Sequence, residues 1–282
     1  MRTRFFAPLA LLAALALFAA GCGGSSSDTT TPANDLGLKT AGELLVGSDI
    51  PYAPFEFTDP GSTDAKGFDV DLVNAVAKEM GITKVTFQKE SFDTIFTNTA
   101  AGRFDMAASS ITITDERKKT VAFSDPYFEA NQSVMVRTAD AAAAGALSGQ
   151  TITPQMAQVA LKGRTIGVQR GTTGADLGKS IPDAKVQQFQ KIDDAFNALI
   201  ARRVDVVLND YAISAYATVA KPDLKVVAKV SPSESYGFAF PTTNTALVTA
   251  FNAALTKVKA SGEYAEIYKK WFNEEPPASA TK

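Results

Sequence analysis

The sequence predicts an α/β protein built as two lobes, and three observations carry that reading. From Gly42 onward, short apolar runs of strand type alternate with segments of helical period. The alternation forms two separate βα series, which implies two lobes. The chain has 282 residues, 45% hydrophobic and 21% charged, which is a globular composition and long enough for one large α/β domain or two smaller ones.

The elements follow in order. Residues 44–47 read as a buried strand. Leu72, Val73, Val76, Ala77 and Met80 share one face of a helix over 69–80, and Gly81 stops it. Residues 85–88 form a strand, and Ser91 is placed to cap a helix carrying Ile95, Phe96 and Thr99 that ends near Gly102. A strand over 106–109, a short helix opening at Thr114-Asp115-Glu116-Arg117 and a strand over 134–136 complete the first series. Residues 138–160, rich in Ala, Gly, Ser and Thr, read as a mobile surface insertion. The second series is strand 165–168, helix 174–179, strand 185–189, helix 193–202, strand 204–208 and helix 211–219. Strands over 224–228 and 236–240 follow. Two helices close the chain: 244–260, with Leu247, Phe251, Ala254, Leu255 and Val258 on one face, and a last one carrying Tyr264, Ile267, Tyr268 and Trp271.

Composition removes several kinds of chemistry. There is no His, hence no Ser-His-Asp triad, no Cys-His dyad and no HExxH zinc site. A single Cys excludes an intramolecular disulfide and a CxxC motif. A formal net charge of -2 gives no footprint for nucleic acid. No metal or cofactor is expected.

The N-terminus reads as an address. Arg2 and Arg4 precede an apolar run over 5–20, then Gly21-Cys22-Gly23-Gly24. Ala19-Ala20-Gly21-Cys22 resembles the bacterial lipoprotein signal, with Ala19 where Leu is usual; the resemblance implies cleavage after residue 21 and a lipid on Cys22. Residues 22–36 form a polar, flexible tether. Without Arg2 and Arg4 the remaining chain carries a net charge of -4. The expected location is extracytoplasmic, in the periplasm or at the cell surface, anchored to the membrane through Cys22.

Several stretches then become familiar together: residues 47–56 (Gly47-Ser48-Asp49 through Pro54-Phe55-Glu56), Gly67-Phe68-Asp69-Val70-Asp71-Leu72, and residues 109–117 (Ser109-Ser110-Ile111-Thr112 through Arg117). Phe123-Ser124-Asp125-Pro126-Tyr127-Phe128, residues 167–174 and Ile267-Tyr268-Lys269-Lys270-Trp271-Phe272 complete the set. Over residues 37–275 the chain resembles the polar amino-acid branch of the periplasmic solute-binding proteins that feed ABC importers, glutamine-binding and lysine/arginine/ornithine-binding members among them. The resemblance implies the type II periplasmic-binding-protein fold, two α/β lobes joined by two crossing hinge strands. The larger lobe would be 37–127 plus 238–282, the smaller 132–233, with hinges near 128–131 and 234–237. Strand patterning alone divides the chain once; the discontinuous lobe comes from the resemblance.

The same resemblance assigns the site. Arg117 matches the clamp for the ligand's carboxylate, a role that suits a planar fork that stays charged. Thr112 would offer its backbone N–H to the carboxylate and its hydroxyl to the ammonium, and the Ser110 carbonyl would accept from the ammonium. Gly171-Thr172-Thr173-Gly174 follows a strand and opens a helix, so its free N–H groups suit an anion, and Thr173 would meet the carboxylate from the second lobe. Gly178-Lys179-Ser180 looks like the tail of a phosphate-binding loop, but Thr173 stands where that motif needs Gly, and Gly178 reads as a helix stop. Asp210 matches the ammonium-binding carboxylate, and as the residue before a helix it is also placed to act as an N-cap. Tyr52 and Phe92 match the aromatic walls around the ligand side chain, and Asp49 the residue at its tip. Gln169 stands where glutamine-binding members have Lys, and Asn209 where they have His. Without that Lys, Asp49 has no nearby cation, which favours arginine, lysine or ornithine as ligand, with glutamine next. The expected protein is a monomeric receptor, not an enzyme, delivering its ligand to an ABC permease. The alternative from the same fold is an exported cyclohexadienyl (prephenate/arogenate) dehydratase, with Glu56 or Asp210 as its acid.

Overall fold

Two β-sheets organise the chain in the computed structural model, which describes residues 36–278 and 280. The expected export signal and Cys22 lie outside the described residues. In chain order the first part comprises β1 (Glu43–Ser48), β2 (Phe57–Thr58), β3 (Ala65–Lys66), α1 (Phe68–Glu79), β4 (Lys84–Lys89), α2 (Phe92–Ala100), β5 (Met106–Ala107), α3 (Asp115–Lys118) and β6 (Ala122–Phe123). The middle part comprises β7 (Phe128–Arg137), a 3-10 helical stretch (Thr138–Leu147), β8 (Gln150–Ile152), α4 (Pro154–Ala160), β9 (Thr165–Gln169) and α5 (Thr173–Ser180). It continues through β10 (Lys185–Phe189), α6 (Ile192–Ile200), β11 (Val206–Asp210), α7 (Tyr211–Ala220) and β12 (Leu224–Tyr236). The chain closes with β13 (Ala239–Phe240), α8 (Thr245–Ala260) and α9 (Glu263–Phe272).

The first sheet has the order β4-β1-β5-β13-β6 and the second β10-β9-β11-β7-β12-β8. The chain therefore leaves the first sheet after β6 and returns to it only at β13. Strands β7 and β12 run antiparallel, and their ends meet in register: Phe128 faces Tyr236, Glu129 faces Ser235 and Ala130 faces Glu234. Because side chains alternate along a strand, Phe128, Ala130, Gln132, Glu234 and Tyr236 share one face of this ribbon.

Local physics explains the elements. In β1, Leu44 and Val46 are buried while Glu43 and Leu45 are half-buried, the period-two pattern of a covered strand. In α1, Phe68, Leu72, Val73 and Val76 are fully buried, and Gly81 with φ of +74° takes the left-handed position that ends the helix. This face packs against α8 and α9. Phe55, Phe68, Phe128, Tyr236, Tyr268 and Phe272 form an aromatic cluster at the foot of the ribbon, with Phe55 and Phe128 edge to face at 4.9 Å. Such contacts add to the apolar area already buried.

Several expectations are corrected. The stretch 138–160 is not a loose insertion: it forms the 3-10 stretch, strand β8 paired in parallel with β12, and helix α4 opened by the Thr153 cap. Small residues read as a loop because the pairing partner of β8 lies some eighty positions away. Residues 224–228 belong to one long strand, β12, which runs to Tyr236 with two register shifts. Gly178 lies inside α5, facing Val168 and Val186, and does not end the helix. Leu36, assigned to the tether, is buried in the core, and its carbonyl accepts from Asn244 at 3.0 Å. Ser91 precedes α2 without a side-chain cap bond.

One glycine decides how α1 starts. Gly67 has φ of +137°, and a Cβ there would sit 2.0 Å from the Phe55 carbonyl oxygen. The following N–H groups, of Phe68 and Asp69, donate to the carbonyls of Pro54 and Phe55 at 2.9 and 3.0 Å, tying the helix to the loop that carries Tyr52. Gly67→Ala is expected to cost at least about 3 kcal/mol, or roughly 6–12 °C in melting temperature. Gly81→Ala, in open space, should cost only about 1 kcal/mol. Thermal melting of the two variants checks this; equal losses would contradict it.

Candidate ligand-binding cleft

The floor of the cleft is a strained turn held by buried carboxyls. Ser110 has φ of +47°, rare for a residue with a side chain. Its N–H donates to Asp69 Oδ2 at 3.0 Å, and its hydroxyl to Glu56 Oε2 at 3.3 Å. Ser109 Oγ donates to Glu56 Oε1 at 3.0 Å and accepts from the Asp49 N–H at 3.0 Å. Tyr127 donates its hydroxyl to Asp69 Oδ2 at 2.8 Å. Burial raises both carboxyls well above the usual carboxylate range, and the charge of Asp69 raises Glu56 further. After the turn, the backbone of 111–113 pairs with 235–237, so Thr112 lies beside the ribbon.

Thr114 Oγ accepts from the Arg117 N–H at 3.1 Å and caps the short α3. Arg117 then turns back into the cleft: Nη1 donates to the Thr112 carbonyl at 2.7 Å, and Nη2 crosses to the Gly171 carbonyl at 3.0 Å. Its guanidinium lies over the rings of Phe92 and Phe96, at 5.3 and 4.8 Å. From the second sheet, Thr172 caps α5 by accepting from the Ala175 N–H at 3.1 Å, which presents Thr173 at the helix start. Gln169 ends β9 and Asp210 ends β11, both buried.

All nine residues named from the sequence, Asp49, Tyr52, Phe92, Ser110, Thr112, Arg117, Gln169, Thr173 and Asp210, line this one cleft, together with Ser109 and Thr172. Gln169 Nε2 donates to Asp49 Oδ2 at 2.5 Å. The Tyr52 hydroxyl donates to Asp210 Oδ2 at 2.9 Å, with Asn209 Oδ1 at 3.0 Å. Side chains of the two halves thus meet directly and leave about 10 Å³ between them, roughly the room of one water molecule. A ligand of any larger size requires the halves to part.

Two expectations change. Asp210 precedes α7 but makes no cap bond; its carboxylate is turned into the cleft. Asp49 is not remote from positive charge, since the Lys191 charge opposes part of the effect of its burial. Glu56 lies beneath the floor and is not among the residues lining the cleft.

Sequence reasoning missed Gln132 and Glu234. The hydroxyls of Thr112 and Thr173 both donate to Glu234 Oε2, each at 2.8 Å. Gln132 Nε2 donates to Asp210 Oδ1, and lies 3.1 Å from Thr173 Oγ1. The usable signal was position: Glu234 falls in one expected hinge segment and Gln132 directly follows the other, and strand pairing puts both on one face of the ribbon.

Burial pushes Asp49 up to about 6, against the Gln169 hydrogen bond. It pushes Asp210 up to about 6 as well, helped by the Glu234 charge and opposed by the Tyr52 hydroxyl and Arg117. Burial also lowers Arg117, while the charges of Asp210 and Glu234 hold it up. A carboxyl whose pKa is raised in the folded state binds its proton more tightly there than in the unfolded chain. Its stabilisation is present in acid and is lost as pH rises through the folded value. The melting temperature is therefore expected to fall between pH 5 and pH 8; a rise across that window would contradict these shifts.

Comparison with known proteins agrees with this architecture. The family model described as bacterial extracellular solute-binding proteins, family 3, matches residues 44–274. The ABC transporter glutamine-binding protein GlnH of Bacillus subtilis (strain 168) is 29% identical over 273 residues, covering 95% of this chain and 96% of the relative. A probable histidine-binding protein of Neisseria gonorrhoeae is 34% identical over 274 residues, covering 94% of this chain and 95% of the relative. The crystal structure of ArtJ, an arginine-, lysine-, histidine-binding protein of Geobacillus stearothermophilus, superimposes with a TM-score of 0.74 at 34% identity, covering 85% of this chain and 99% of that one. These relatives are named as binding proteins, not enzymes, and the shared fold is that of the type II periplasmic amino-acid-binding proteins. The chain belongs to the bacterial extracellular solute-binding proteins, family 3.

Proposed function

We propose that this protein captures one polar L-amino acid in the cleft and hands it to an ABC importer. The observation that carries the reading is the convergence of one guanidinium, Arg117, with two buried carboxylates, Asp49 just after a strand of the first sheet and Asp210 at the end of a strand of the second. An α-amino acid presents one carboxylate and one ammonium a fixed distance apart. Arg117 and the helix start at Thr173 suit the first, and Asp210 the second. Asp49, with Tyr52 and Phe92 as walls, takes the side chain.

The ligand class we favour is basic: arginine, lysine or ornithine, with glutamine next. Lys191 acts on the buried Asp49 as a charge without a hydrogen bond to it, and the donor that reaches its carboxylate is the Gln169 amide N–H, so a ligand cation bonded directly to it adds most. A glutamate side chain would bring a second carboxylate to it and is disfavoured. The lobes in this proposal are 37–127 plus 238–282 and 132–233, swinging about 128–131 and 234–237; the division is supported by β7 and β12, which run from the second sheet into those two segments, while the strands of the first sheet all lie in 43–123 and 239–240. The ligand lands first on the lobe bearing Arg117 and Thr112, and closure then adds Thr173, Gln169 and Asp210. The receptor acts as a monomer outside the cytoplasm, tethered through a lipid on Cys22. The dehydratase alternative loses its acids: Glu56 is spent on the Ser109-Ser110 turn, and Asp210 is bonded to Tyr52 and Gln132.

Thermal melting of the full chain with single L-amino acids tests the reading. A ligand at a hundred times its Kd stabilises by about 2.7 kcal/mol, roughly 5–10 °C for a chain of this size. Arginine, lysine or ornithine is expected to give the largest shift and glutamate none. Arg117→Ala should weaken binding by about 30-fold or more, because the ligand's carboxylate is then buried unpaired. If no amino acid shifts the melting temperature, the reading is wrong.

A further inference from the structure

We propose that Glu234 and Asp210 together form a two-carboxylate seat for the ligand's α-ammonium, and that the Gln132 amide nitrogen fills this seat until the ligand arrives. The proposal rests on the amino-acid reading above and extends it to two residues outside that set.

The geometry around Gln132 is that of a stand-in. Its Nε2 donates to Asp210 Oδ1, lies 3.1 Å from Thr173 Oγ1 and 3.5 Å from Glu234 Oε2. One nitrogen is thus bracketed by two carboxylates and a hydroxyl. An amide N–H supplies only a partial positive charge to two anions. A primary ammonium supplies a full charge and three donors, enough for all three acceptors. The other end of the same amide is poorly served: Gln132 is buried, and its Oε1 has no hydrogen-bond partner. An unpaired buried carbonyl oxygen is costly, so the arrangement is a compromise that an arriving ammonium relieves. Gly174 makes room for it, since a Cβ there would lie 2.8 Å from Gln132 Oε1 and 3.1 Å from the Leu208 carbonyl oxygen.

Glu234 is held where the seat needs it. Strand pairing opposite Ala130 puts it on the inward face of the ribbon, and the hydroxyls of Thr112 and Thr173 fix the same oxygen from the two halves. With Arg117 nearby to offset part of this charge, the α end of the cleft carries two carboxylates against one guanidinium. The consequence is selection for the ammonium itself: amino acids over the corresponding acids that lack it.

Calorimetric titration of the full chain with L-arginine and with 5-guanidinopentanoate separates the roles. The second compound keeps the carboxylate and guanidinium and has hydrogen in place of the ammonium. If glutamine is the tighter ligand, L-glutamine and 4-carbamoylbutanoate replace them. Glu234→Gln is expected to weaken the amino acid by about tenfold or more and to change the deaminated analogue by less than about threefold. Gln132→Ala, which leaves both carboxylates in place, is expected to tighten the amino acid by about threefold or more, with little effect on the analogue. Equal changes for the two compounds mean a merely structural role for Glu234, and a tighter amino acid in Glu234→Gln means that it competes for the carboxylate donors; either result overturns the seat alone. Weaker amino-acid binding in Gln132→Ala overturns the filling role. Binding of no amino acid by the unaltered chain overturns the underlying reading and the seat with it.

Discussion

A charge taken out of water must find a partner, and the cleft of this protein is arranged around that constraint. Asp49, Asp210 and Arg117 converge where little water remains, with Glu234 beside them. Desolvation disfavours each charged form, and burial holds the Asp49 and Asp210 carboxyls above the ordinary aspartate range. The partners these groups find within the chain are mostly neutral: an amide N–H for Asp49, a phenol and an amide for Asp210, peptide carbonyls for Arg117. Neutral donors satisfy geometry but not charge. The proposed ligand, a zwitterion with a further cation, would supply what is missing, and buried charges are stabilising only when pairing is nearly complete.

The rest of the fold holds these groups at the right separation. Glu56 and Asp69 lock the left-handed Ser110 turn, and the Ser109 hydroxyl passes that order to Asp49. Gly67 lets the start of α1 close on the loop that bears Tyr52. The aromatic cluster anchors Phe128 and Tyr236 at the foot of the ribbon, while Gln132 and Glu234 further along hydrogen-bond to the cleft residues Asp210, Thr112 and Thr173. Rigid packing at one end and polar, exchangeable bonds at the other suit the proposed lobe closure. Cleft contacts can be traded for ligand contacts without disturbing the core.

Much of this was legible in the sequence, for identifiable reasons. Strands such as 85–88 and helices such as 245–260 have clear periodicity in sequence, so their type and place follow from pattern alone. The nine cleft residues came from motif resemblance, and the structure brings all of them to one place. What stayed hidden depended on distant partners. Strand β8 has no signal of its own and exists because β12 offers an edge. Asp210 looked equally suited to capping a helix, and only the fold shows its carboxylate turned towards Tyr52 and Gln132. Glu234 and Gln132 carry no motif, and their importance appears once β7 and β12 are seen in register.

The central claim is that buried carboxylates in the cleft await a cation, and proton linkage tests it most directly. Calorimetric titration of the full chain with L-arginine, in two buffers of different ionisation enthalpy, measures protons exchanged on binding. A cation that settles against Asp49 and Asp210 lowers their raised pKa values, so binding near pH 6 should release protons. The release should fade towards pH 8, where both groups are already ionised. Proton uptake at pH 6, or binding with no proton exchange there, would contradict the account.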